Sequence, residues 1–130
     1  MRCIVLIVLV VAIAGCVAVE PFQPPPDVYQ RWEKPGEPEV GVKKALLECG
    51  GYPSPYDIGD MAINDIVLAD LCMVESGYAY NRKDKYRYCL GSGVALLACS
   101  PDAKAPKRDV KKRLESRFCR DYPQAEVCQR

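Results

Sequence analysis

Pro38-Glu-Val-Gly-Val-Lys-Lys-Ala-Leu-Leu-Glu-Cys49, followed by Gly50-Gly51, is the stretch on which the fold turns. Val42, Leu46 and Cys49 recur at helical spacing on one face with Ala45, proline suits a first helical turn, and paired glycines stop a helix. A turn-rich loop, Tyr52-Pro-Ser-Pro-Tyr-Asp57, comes next. The spacing then predicts a second helix over Met61 to Ser76, with Asp60 as N-cap and Gly77 as the stop. Its residues Ile63, Ile66, Val67, Leu68, Leu71, Met73 and Val74 are largely apolar, which marks it as the central core helix. A short third helix is expected over Val94 to Cys99. A fourth is expected from Pro106 to Phe118, with Val110, Leu114 and Phe118 as its apolar stripe. The expected fold is mainly α, a small disulfide-stapled domain of three to four helices over residues 38–130.

The second and third helices are separated by Tyr78-Ala-Tyr80-Asn-Arg-Lys-Asp-Lys-Tyr86-Arg-Tyr88. Tyrosines alternate with period two on either side of a polar turn. That pattern predicts a short β-hairpin with Tyr78 opposite Tyr88 and Tyr80 opposite Tyr86. Beside Arg82, Lys83, Lys85 and Arg87 such an aromatic ledge would suit a glycan or an acidic partner, although a ledge of this kind more often packs on a neighbouring helix.

A folded part of about 90 residues buries only about 60–65% of its unfolded surface, so further staples are expected. Cys3 and Cys16 belong to the N-terminal region; the other six are Cys49, Cys72, Cys89, Cys99, Cys119 and Cys128, an even number suited to three disulfides in an oxidising compartment. The similar spacings of Cys89 to Cys99 and of Cys119 to Cys128 suggest two local loops, each closed at its base. If the first two helices form an antiparallel hairpin, Cys72 lies about 17 Å along the second from its start. Disulfide Cβ atoms must approach within about 4.5 Å, so that topology excludes a Cys49–Cys72 bond. Six cysteines allow fifteen connectivities, and spacing selects none of them.

The N-terminus reads Met1-Arg-Cys-Ile-Val-Leu-Ile-Val-Leu-Val-Val-Ala-Ile13-Ala14-Gly15-Cys16. One positive charge precedes an apolar run ending in small residues, the form of a signal peptide. The run falls slightly short of the roughly 20 residues that span a bilayer, and proline-rich sequence follows it. Ile13-Ala14-Gly15-Cys16 resembles the lipobox of bacterial lipoproteins, in which the cysteine thiol receives diacylglycerol and becomes the new N-terminus. Ile replaces the commoner Leu at the first position. The resemblance implies cleavage before Cys16, with residues 1–15 as the signal peptide. The alternative is an ordinary secretory signal with an incidental cysteine. Parity of the remaining cysteines favours the lipid, although cleavage after Ala18 would satisfy it as well. Val17, where an aspartate would imply retention in the inner membrane, implies an outer-membrane location in a diderm.

Residues 16–37 read as a lipidated, proline-rich tether. Six of the eleven prolines fall within residues 20–41, which favours extended polyproline II over a compact structure. Trp32, in Arg31-Trp-Glu-Lys-Pro-Gly36, is expected to dock on the domain and mark where the tether joins it. Trp32-x-Lys34-Pro35-Gly36, Leu46-Leu47-x-Cys49-Gly50 and Leu71-Cys72-Met73-x-x-x-Gly77-Tyr78 together are similar to small cysteine-containing lipoproteins of Gram-negative bacteria and their mobile elements. That likeness covers residues 32–78 and implies placement, with no agreed activity.

Without Arg2, 17 basic side chains balance 17 acidic ones, which removes any strong pull toward nucleic acid. Residues 45–80 nevertheless carry Glu48, Asp57, Asp60, Asp65, Asp70 and Glu75 with no base, while residues 101–130 are mainly basic. Two solvated helix faces of opposite sign attracting each other account for this segregation. The chain has no histidine, no Cys-x-x-Cys and no phosphate-cradling glycine loop, so no catalytic residue, metal ligand set or cofactor site is assigned. Two classes remain: a binding module of the envelope, taking an envelope protein or cell-wall glycan, and a carboxylate-based glycan hydrolase. The second needs two acids across a cleft, about 5–10 Å apart.

Overall fold

The computed structural model describes residues 22–81, 89 and 96–130, so the leader, Cys16, Tyr86, Tyr88 and the first two residues of the expected third helix, Val94 and Ala95, lie outside the described residues. The rest of that expected helix is only a 3₁₀ turn, Leu97–Cys99, entered from extended backbone at Leu96. The described residues are mainly helical. Helices α1 (Glu39–Cys49), α2 (Ile63–Glu75), α3 (Val110–Leu114) and α4 (Arg117–Asp121) are joined by 3₁₀ turns and a two-stranded antiparallel sheet of β1 (Trp32–Glu33) and β2 (Ala79–Tyr80).

Helix α1 starts after Pro38, whose extended backbone (ψ 158°) precedes the first turn, and it ends at Gly50, where φ is 80°. It is buried on two sides. Val42, Ala45, Leu46 and Cys49 face a core shared with Val28, Trp32, Tyr52, Ala69, Cys72, Met73 and Tyr78. Leu47 enters a second core with Cys119, Val127 and Cys128. Burial of a leucine is worth about 1.5–3 kcal/mol, and Leu46 and Leu47 are 0% and 1% exposed, so α1 joins the two halves of the core. This corrects the expectation that α2 is central: Ile63 and Val74 at its two ends are exposed.

The N-terminus of α2 also differs. Ala62, not Asp60, is the capping residue, and it makes no side-chain cap. The stop is as expected. Gly77, at φ 85°, takes the left-handed conformation; its N–H donates to the Val74 carbonyl (2.9 Å) and that of Tyr78 to the Met73 carbonyl (3.1 Å). This paired closure satisfies the terminal carbonyls and turns Tyr78 back into the core.

Three disulfides staple the body: Cys49–Cys72, Cys89–Cys99 and Cys119–Cys128. The last two are the local loops read from spacing. The first contradicts the exclusion of Cys49–Cys72, and the loop between the helices is the reason. Thirteen residues, Gly50 to Ala62, separate α1 from α2. That length lets α2 begin well past the end of α1; a Cβ at Gly51 would lie 3.8 Å from Ala69 Cβ, so the outgoing loop runs beside α2. Cys72, not the start of α2, therefore comes opposite Cys49.

The fourth expected helix is two. Asp109 caps α3 by accepting from the Lys111 N–H (2.8 Å), and Ser116 breaks the helix and caps α4 through the Cys119 N–H (3.2 Å). Val110 stays exposed, and the buried residue of this segment is Arg113, 3% exposed. Its Nε donates to Glu48 Oε1 at 2.9 Å, its Nη1 reaches the Gln129 carbonyl at 2.8 Å, and Arg108 holds Glu48 Oε2 from the other side. The opposite charges of the two segments therefore meet through one buried acid, not across solvated faces.

The tether residues enter the fold as well. Val28 and Trp32 are buried, and the Val28 and Tyr29 N–H groups donate to the carbonyls of Tyr56 and Pro55, each at 3.0 Å. Trp32 pairs with Tyr80 and Glu33 with Ala79, so the strand begun by Tyr78-Ala-Tyr80 takes its partner from the proline-rich segment.

Candidate binding groove

The described half of the tyrosine ledge serves the fold. Tyr78 is 3% exposed, with the Lys34 ammonium 5.0 Å and the Arg108 guanidinium 5.9 Å from its ring centre. Burial raises its pKa above the usual 10.0, and the Arg108 cation opposes that rise. The Trp32 Nε1 is buried with no hydrogen-bond partner among the described residues. Tyr80 stacks edge-on against Trp32 at 5.1 Å.

Another set of rings reaches the surface, half-buried at Tyr29 and Phe118 and exposed at Tyr56 and Tyr122. Tyr29, Tyr56, Phe118 and Tyr122 form a continuous row with centroid separations of 5.8, 5.7 and 5.1 Å. Local structure explains how it is assembled. Pro55 is buried and its carbonyl is bound by the Tyr29 N–H, which fixes Tyr56 beside Tyr29. Phe118 and Tyr122 stand four residues apart around the end of α4, neighbours on a helical surface. Tyr56 is 40% and Tyr122 61% exposed.

The row borders a groove of about 990 Å³ between the 51–62 loop and α4. Met61, Tyr56, Phe118 and Tyr122 supply its apolar surface. Asp57, Asp60 and Asp65 line one wall, and Asp121 and Arg117 line the other. Asp57 accepts from the Gly59 N–H at 2.8 Å, which shapes the loop. Arg117 and Asp121 approach to 3.8 Å while both remain largely exposed. At the far end of the ring row lies Lys43, its ammonium 4.1 Å from the Tyr29 centroid and 5.0 Å from that of Tyr56, paired with Glu39. Burial works against this charge, but the Glu39 hydrogen bond and Tyr56 outweigh it and hold the Lys43 pKa above 10.5.

The four groove carboxylates are all exposed, so none sits in the apolar surroundings that make a carboxyl a general acid. The two buried acids among the described residues are used elsewhere: Glu48 by the arginines, and Asp70 by a hydrogen bond from the Tyr52 hydroxyl. Among the described residues no group of three His, Cys, Asp or Glu side chains could hold a metal ion, and no helix is long and apolar enough to cross a membrane.

The groove was not assigned from sequence. In sequence Phe118 continues the apolar spacing of Val110 and Leu114, and nothing local distinguishes Tyr56. The spacing of Phe118 and Tyr122 was a signal that those two rings share a face. Comparison with family models, with curated proteins and with solved structures finds no match to this chain.

Proposed function

We propose that this chain matures into a lipid-anchored envelope protein, attached through Cys16, whose disulfide-closed body acts as a binding module for an envelope protein or cell-wall glycan. The carrying observation is the cysteine pairing. All six cysteines from Cys49 onward are engaged with one another, so lipidation of Cys16 and loss of the leader with Cys3 would leave no odd thiol. Three disulfides in so small a body fit an oxidising compartment. Two acyl chains or more give stable attachment. The open groove and its exposed rings support the binding role. A glycan hydrolase finds less support, because no groove carboxylate is shielded from water.

Intact mass of the membrane-fraction protein, before and after reduction and alkylation, tests the proposal. A mass beginning at Cys16 with acyl chains, and six thiols alkylated only after reduction, is the expected result. An unmodified mass would sink the anchor, and thiols reactive before reduction would sink the staples.

A further inference from the structure

We infer that the groove between the 51–62 loop and α4 binds a basic, partly apolar segment of an envelope protein, an assignment that rests on the binding-module reading above. Its apolar surface combines Met61 with the rings of Tyr56, Phe118 and Tyr122, and two of these rings are substantially exposed. Its lining carries four carboxylates against one guanidinium. Arg117 lies near Asp121, and among the described residues no lysine or arginine pairs with Asp57, Asp60 or Asp65.

The protein already holds one cation in this manner. Lys43 sits over Tyr29 and Tyr56 with the Glu39 carboxylate beside it. The groove continues the same ring row and is lined by both aromatic rings and carboxylates. Ring faces attract ammonium and guanidinium groups, and the carboxylates add a longer-range pull that a neutral glycan would not feel. Alternating basic and apolar side chains would satisfy both parts of the surface.

The test uses the full-length protein extracted from membranes into neutral detergent, with binding followed by fluorescence anisotropy. The probes are a labelled peptide alternating lysine with leucine and tryptophan, its counterpart with glutamate for lysine, and an N-acetylglucosamine oligomer. The lysine peptide alone should bind, and more weakly as ionic strength rises from about 0.05 to about 0.5 M. Asp60→Asn with Asp65→Asn should weaken it about fivefold, and Tyr122→Ala about threefold. Circular dichroism of each variant checks that the fold is kept. Equal binding of the lysine and glutamate peptides, or unchanged affinity in both folded variants, would overturn the assignment. Binding of the glycan in place of the lysine peptide would overturn it too, yet leave the binding-module reading standing. Loss of the anchor is read separately, by mass.

Discussion

Glu48 shows how one side chain can set the arrangement of a small body. It lies on α1, is 6% exposed, and is bound by Arg113 and Arg108 from the C-terminal segment. Removing one partner of a buried ion pair leaves an uncompensated charge, at a cost of about 3–5 kcal/mol. Glu48→Gln should therefore lower the stability measured by chemical denaturation by about 3 kcal/mol. Joint replacement of Glu48 and Arg113 by methionine should recover much of that loss, since paired apolar residues of similar volume are often neutral. A single-variant loss below about 1 kcal/mol would show that the pair behaves as an ordinary surface contact. The segregation of charge was legible in the sequence. That Arg113 would be the buried base was not, because the apolar spacing there falls on Val110, Leu114 and Phe118, and which side is buried depends on the break at Ser116.

At the scale of elements, the disulfides hold together pieces too short to persist alone. Helices α3 and α4 have five residues each, well under the length at which an isolated helix is stable in water. The Cys119–Cys128 bond closes α4 onto the final 3₁₀ turn and Leu47 of α1 packs against it, whereas Cys49–Cys72 joins the two long helices. The bonded cysteines are separated by 23 residues in the second case and 9 in the first. Chain-entropy reasoning then ranks them at about 3.5 and about 2.7 kcal/mol. Replacing Cys49 and Cys72 together by alanine should lower the denaturation midpoint more than replacing Cys119 and Cys128. The reverse order would mean that native packing, not restriction of the unfolded chain, dominates. The two local bonds were suggested by their spacing. The long-range one was not legible, because a tight hairpin would set Cys49 beside the start of α2, whereas a thirteen-residue loop carries the chain back along it.

Across the whole molecule, the folded body begins earlier than composition suggests. Proline density marks residues 16–37 as tether, yet Val28 and Trp32 are 1% and 4% exposed. The strand at Trp32–Glu33 closes the sheet against Ala79–Tyr80. Trp32→Ala should destabilise the protein by about 3–5 kcal/mol, the usual range for a buried aromatic. Trp32→Phe should cost much less, since it keeps most of the packing and removes the unpartnered Nε1 donor. Thermal unfolding checks both; an alanine variant as stable as the wild type would mark the segment as a spacer after all.

The helical class, the ends of α1 and the stop of α2 were legible in the amino-acid sequence, and the repeated cysteine spacing suggested the two short disulfide loops without selecting a connectivity. All of these follow from neighbours within about ten residues: a proline before a helix, a glycine after it, a repeated spacing. That α1 is the central helix, that Cys49 meets Cys72, that Trp32 pairs with Tyr80, and that Tyr56 joins Phe118 beside a groove emerge only in the folded molecule. Each of those contacts joins segments far apart in the chain. Loop closure costs too little, and depends too weakly on length, for local pattern to select one such contact over another.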